Sequence, residues 1–280
     1  MSEPQDASAV DDAVVSVVVP YCPTYTPEPM LAEATESVAA QTGVETELLV
    51  VEDEDERGPA WARNVGLDRA ETRYVALLDA DDVWHPDKLQ RQLREMDATG
   101  AALCVDGRRE YSPLAFTGAL LTGETHSLTS SILLDTEQVG VRFDESLERR
   151  EDHLFMIAAA MDGGVCFTSE TFFGRTHEDG FSKHVDTSPE AVDAFFERVL
   201  EVAPEARRFE APYYATAYTY LGRRKHFAGA YRAAVGYYLR ALRSEPHVTT
   251  VGALGLTLLA ALYDSPSRVA RRLSAGGTHE

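Results

Sequence analysis

The amino-acid sequence predicts an α/β fold with an open, mostly parallel sheet and an α-helical C-terminal extension. Three observations carry this. Apolar runs alternate with helical patterns through the first hundred residues, in the order β-α-β-α-β-α-β. The first run is β-branched and apolar on both faces, as in a buried parallel strand. Helical periodicity then persists from residue 188 to residue 245. The expected organisation is a disordered lead-in over 1–13, an α/β domain over 14–187 and a helical region over 188–280.

Each element has a local reason. "VVSVVVP" at 14–20 is a strand stopped by Pro20. In the helix that follows, Thr26 suits a cap, Pro27 a first turn and Gly43 an end, and Leu31, Ala34, Val38 and Ala39 share one face. "TELLVVED" at 46–53 is a second strand, ending in acid. Gly58 and Pro59 open a helix over 58–71. "RYVALLDADD" is the third strand, Pro86 and Gly100 bracket the next helix, and "AALCVDG" is a fourth strand. Ligands of such sheets bind beyond the carboxyl ends of the strands. Pro20-Tyr21, Glu52-Asp53 and Asp79-Ala80-Asp81 occupy three such ends and are expected to meet at one crevice.

Composition narrows the partners. The 280 residues hold 46 Asp and Glu against 26 Lys and Arg, a formal net charge of −20. A polyanion needs a basic footprint, so nucleic acid is not an expected partner. The acid is concentrated in the first 220 residues: Leu221 to Arg272 holds nine basic and two acidic residues. Lysine occurs only at Lys88, Lys183 and Lys225. This acid-rich, Lys-poor composition resembles that of proteins from salt-loving archaea, where screening removes self-repulsion; an acidic mesophilic protein is the alternative. Three widely spaced cysteines, Cys22, Cys104 and Cys166, suggest a reducing compartment without a disulfide framework. The acidic N-terminus lacks the apolar core of a secretory signal. The expected location is cytoplasmic.

Asp79, Asp81 and Asp82 crowd three carboxylates into four positions at a strand end. Like charges that close need solvent, protons or a cation between them. A hard divalent cation takes oxygen ligands and commonly combines one or two carboxylates with substrate phosphates. A polar turn is the alternative, and Asp82 suits one.

The neighbouring segments make the pattern specific. "VVVPYCPT", "VVED", "GPAWARNVGL" and "LLDADDVW" follow in order, and the chain resembles the inverting family 2 glycosyltransferases of GT-A fold over residues 14–185. "SSILLDTEQVGVRFDESLERREDHLF" looks like the acceptor-side segment of that family, and "RTHEDGFS" like its Arg-x-His element. The resemblance implies a transferase taking a sugar from a nucleotide-sugar donor to a glycan or lipid-linked acceptor, with Mg²⁺ or Mn²⁺ as cofactor. It implies a metal held by Asp79 and Asp81 with His177 nearby, and a nucleoside pocket lined by Pro20, Tyr21, Glu52 and Asp53. Arg63 and Asn64 would support the base and the Asp79–Asp81 loop, Asp152 would be the general base, and Glu151 would bind acceptor or orient its loop. Plainer readings stand beside these: a helix-start acid for Asp152, an ion pair for Arg63, a turn contact for Asn64, a solvated loop for His177. The family has a longer segment after the second strand and an Asp where Glu52 stands, so this chain departs from it there.

A nucleotidyltransferase is disfavoured, because no Gly-rich, Lys-bearing phosphate loop follows the first strand. A non-catalytic relative that binds a partner through its helical tail is the remaining alternative. In that tail, residues 220–246 resemble one tetratricopeptide-type hairpin, and one copy makes no solenoid. Residues 248–263 are uncharged and too few to span a bilayer, and Arg268, Arg271 and Arg272 follow. A buried core helix and peripheral contact with the cytoplasmic face of a membrane both fit.

Overall fold

The computed structural model describes residues 13–125, 128–147, 149–169, 172–174 and 187–275, the stretch from 263 onward as backbone. Most of the proposed lead-in, and His177 with its "RTHEDGFS" segment, lie outside the described residues.

Strand β1 (Val14–Tyr21) is central, with Val15, Val17, Val18 and Val19 fully buried. It pairs in parallel with β2 (Glu45–Glu52) on one side and β3 (Tyr74–Leu77) on the other, Val18 facing Leu49 and Leu77. Short strands β5 (Leu103–Asp106), β6 (Leu133–Asp135) and β7 (Val165–Thr168) complete a six-stranded sheet of order β2-β1-β3-β6-β5-β7. Strand β6 runs antiparallel to both its neighbours, the one departure from parallel pairing in this sheet. Two-residue strands β4 (Val83–Trp84) and β8 (Phe172–Phe173) form a separate antiparallel pair.

Helix α1 (Glu28–Ala39) starts one residue later than expected, because Pro27 rather than Thr26 takes the N-cap. Helix α2 (Pro59–Arg69) is entered through Gly58 at φ 101°. Its Gly66 lies against β1 so closely that a Cβ there would meet Val18 Cγ1 at 2.1 Å. That approach fixes α2 over the strand ends. Helix α3 (Lys88–Thr99) ends at Gly100 in the left-handed region, φ 71°. Helices α4 (Pro113–Thr122), α5 (Glu151–Gly163) and α6 (Pro189–Val202) follow, with Ser188 capping α6 by accepting from the Ala191 amide.

The chain divides into two compact units. The first holds residues up to 120 with 124–206, and the second holds 121–123 with everything from Arg207 on. The first unit therefore runs past the expected limit at residue 187. The reason is α6, whose Val192, Phe195, Phe196 and Val199 are buried. The second unit is built from α7 (Glu210–Phe227), α8 (Tyr231–Ser244) and α9 (Val248–Ala275). Helices α7 and α8 form the hairpin the sequence suggests; a Cβ on Gly222 would meet the Tyr238 ring at 2.6 Å.

Candidate active site

At the carboxyl ends of β1, β2 and β3 lies a cleft of about 450 Å³. Its walls include Pro20, Tyr21, Asp53, Arg63, Asp79, Asp81, Glu151 and Asp152. The fold thus brings the three strand ends to one crevice and adds the start of α5 opposite them.

The carboxylates of "DADD" are handled in three ways. The Asp82 amide donates to Asp79 O at 3.0 Å, closing a tight turn. Asp79 Oδ1 pairs with Arg63 Nη2 at 2.8 Å. Asp82 is buried and accepts from Ser130 Oγ at 2.6 Å, while the same oxygen accepts from the Asp79 amide at 3.0 Å. Asp82 is therefore the turn residue. Asp81 faces the cleft.

Arg63 is the hub. It is 5% exposed, and its Nη1 also donates to Glu151 Oε1 at 3.0 Å. Burial alone would lower its pKa, but the charges of Asp79 and Glu151 outweigh that and hold the guanidinium above its ordinary value. Its Nε has no hydrogen-bond partner among the described residues. One guanidinium thus ties the strand-end turn to the start of α5, and the reading of Arg63 as a surface ion pair gives way to a buried bridge. Burial raises the pKa of Glu151, helped by the Asp152 charge and opposed by Arg63. Burial also raises Asp152, opposed by Arg63 and by the His153 amide, which donates to Asp152 Oδ1 at 2.7 Å. A raised carboxyl in a cleft suits a group that takes up a proton.

Other expected residues serve elsewhere. Asp53 is buried, and its two oxygens accept the amides of Arg57 at 2.9 Å and Gly58 at 2.8 Å. It shapes the short link into α2 while forming part of the cleft wall. Glu52 is exposed and absent from that wall. Asn64 is also absent: its Oδ1 accepts the Phe143 amide at 2.9 Å and its Nδ2 donates to Phe143 O at 3.0 Å and to Glu145 at 2.9 Å. That is a turn contact, and it holds the "FDE" segment against α2.

One cleft residue, Glu56, and one buried residue beneath the carboxylate turn, Ser130, escaped the sequence reading. Glu56, at φ 54°, accepts from Thr24 Oγ1 at 2.9 Å and Tyr25 OH at 3.1 Å, clasping the loop after β1 to the loop after β2. Ser130 supports the carboxylate turn, and its carbonyl accepts from Trp84 Nε1 at 2.8 Å. No spacing rule marks a serine fifty residues downstream of the turn it braces.

Among the described residues no three His, Cys, Asp or Glu side chains gather to hold a metal. Asp79 and Asp81 both line the cleft and offer carboxylate oxygens alone. That is too few ligands for an all-protein cage but fits a hard cation completed by phosphate oxygens.

Residues 54–146 match the sequence profile of glycosyl transferase family 2. The chain resembles that family over this segment. It is 28% identical over 226 residues to the succinoglycan biosynthesis protein ExoO of Rhizobium meliloti, an alignment covering 60% of this chain and 64% of that protein. It is 31% identical over 110 residues to the Escherichia coli protein WfgD, a UDP-Glc:alpha-D-GlcNAc-diphosphoundecaprenol beta-1,3-glucosyltransferase, covering 31% of this chain and 42% of that one. The chain thus spans less than two thirds of the length of these relatives. The crystal structure of S. aureus TarS 1-349 with UDP-GlcNAc superposes with a TM-score of 0.55 at 20% identity, covering 88% of this chain and 81% of that one. The fold is GT-A. The matched residues cover α2, β3 and the carboxylate turn, and stop just before Glu151 and Asp152.

Proposed function

We propose that this chain transfers a sugar, with inversion, from a nucleotide-diphosphate donor to a hydroxyl of a glycan or lipid-linked acceptor in surface polysaccharide or glycoprotein glycan assembly. The observation that carries the reading is the single cleft that opposes Asp79 and Asp81 to Asp152 across Arg63. Donor-side and acceptor-side groups of a transfer reaction need that arrangement. The names of the relatives support the biological setting: one is a succinoglycan biosynthesis protein, and another acts on a diphosphoundecaprenol-linked sugar. The acidic, Lys-poor composition supports a salt-rich setting.

The residues divide the work. Pro20, Tyr21 and Asp53 border the nucleoside end of the cleft. Asp79 and Asp81 would hold Mg²⁺ or Mn²⁺ against the donor diphosphate; when bound, the cation offsets charge on the leaving group. Arg63 keeps Asp79 oriented, and its unpartnered Nε is a donor for a ligand oxygen. Asp152 takes the proton of the acceptor hydroxyl as that oxygen bonds to the anomeric carbon and the bond to the diphosphate breaks. Glu151, fixed by Arg63, orients the α5 start that carries the base. His177, by resemblance, stands near the leaving group.

The test is calorimetric titration with UDP-, GDP- and dTDP-sugars, with and without Mn²⁺. A metal-dependent signal lost in Asp79→Ala/Asp81→Ala supports the reading. Absence of any donor binding by the folded protein overturns it in favour of a non-catalytic relative.

A further inference from the structure

Helix α9 is turned inside out. Its buried side chains are polar: Thr250 is 2% exposed and Thr257 fully buried. Thr250 Oγ1 meets Thr219 Oγ1 of α7 at 2.9 Å, and Thr257 Oγ1 meets His226 Nδ1 at 2.9 Å. The two threonines are one heptad apart and form a polar seam against α7. The opposite face is apolar and exposed: Val251, Leu256, Leu258, Leu259 and Leu262 stand between 48% and 72% exposed, and Val248 reaches 86%. No charged residue occurs from 248 to 262. A helix that turned these leucines inward and its threonines outward would satisfy the ordinary amphipathic rule; this one does the reverse. The expectation of a buried core helix fails here, because the leucines are not in the core.

We infer that the outward face of α9 docks flat on an anionic lipid surface. The helix cannot cross a bilayer: no described helix is long and apolar enough. Charge selects the occupant. Residues 207–280 hold 11 Lys and Arg against 4 Asp and Glu, whereas residues 1–206 hold the other 15 and 42. The second unit is thus cationic in a chain of net charge −20, and α9 itself goes on to Arg268, Arg271 and Arg272 with Asp264 as its one acid. Two copies meeting through this face would bring two cationic helices together. An anionic bilayer accepts the leucines in its acyl boundary and attracts a cationic unit to its headgroups. The inference rests on the reading of a lipid-linked acceptor and gives it a surface.

The full chain is to be floated with phosphatidylglycerol vesicles and, separately, with phosphatidylcholine vesicles. Binding is expected to the anionic vesicles and to weaken as salt rises. Leu256→Ser/Leu259→Ser/Leu262→Ser should reduce the bound fraction at least tenfold. Arg268→Gln/Arg271→Gln/Arg272→Gln, which leaves the threonine seam intact, should reduce it about fivefold per arginine. Equal or absent flotation on both lipids overturns the inference. So does a concentration-dependent dimer, seen by light scattering, that the leucine variant dissolves. Donor titration on the same sample separates the two readings. Donor binding without flotation removes the docking surface alone, and flotation without donor binding removes glycosyl transfer alone.

Discussion

At the cleft, the charged side chains are buried or half-buried and answer one another: Arg63 holds Asp79 and Glu151, Ser130 holds Asp82, and backbone amides hold Asp53. In α9, two hydroxyls are buried and answered while the large apolar side chains are left in the open. Burying polar groups costs little where each finds a partner. Exposing leucines has no such internal remedy. The contrast teaches where each region's partner lies. In the readings proposed above, a small polar ligand would complete the cleft and a lipid surface would cover the helix.

The largest effect that sharpens this contrast is at Asp152. Asp152→Asn should lower turnover by about 10²–10⁴-fold while donor binding persists, read by steady-state kinetics beside calorimetry. The wild-type acid limb of kcat/KM should lie above the ordinary carboxylate value of about 3.9, since burial raises Asp152 and the base must be ionised to act. The sign for stability is opposite. A carboxyl raised in the folded state binds more protons there than in the unfolded chain, so its contribution fades as pH rises through that window. Asp152→Asn should therefore match or exceed the wild type in denaturant melts at neutral pH. A variant both inactive and unstable breaks the assignment.

Next is Arg63. Arg63→Met strands Asp79 and Glu151 in the wall and should cost about 3–5 kcal/mol in urea unfolding. A cost below about 1 kcal/mol would show the bridge to be an ordinary surface pair.

Lys88 comes third. It is fully buried, donates to Gln92 Oε1 and lies over the Trp84 ring at 4.2 Å, and burial lowers its pKa to about 7. Between that value and the ordinary ~10.4 of the unfolded chain, the unfolded state holds the extra proton, so stability should rise with pH across that window. Lys88→Met should flatten the rise.

The smallest effect is salt. Raising KCl from 0.1 M to 2 M should lift the melting temperature by about 2–4 °C for each kcal/mol of self-repulsion screened. A melting temperature that falls with salt would contradict the salt-adapted reading of the composition.

The cleft was legible because its residues sit at strand ends, where a parallel sheet must place a ligand. Pro20, Asp53, Asp79 and Asp81 needed only the strand order. Arg63 was legible as a motif, but not as a bridge, because its partner Glu151 is 88 positions away in sequence. Strand β6 was not foreseen as antiparallel, since three residues carry no period. Asn64 and Ser130 show the same limit from two sides: a conspicuous residue braces a turn, and an inconspicuous one braces the carboxylates. In α9, sequence counted the leucines but not their direction. Direction shows only in the structure, where Thr250 and Thr257 bond α7.

The Arg63 bridge also bears on descent. Arg63 is shared by two carboxylates, so removing it strands both, whereas removing either carboxylate leaves Arg63 paired with the other. A lineage leaving this corner therefore meets its steepest cost at Arg63 and a lesser one at either acid. Tolerance to single changes should accordingly be lower at Arg63 than on the acidic exterior around it, where a carboxylate can come or go with little consequence.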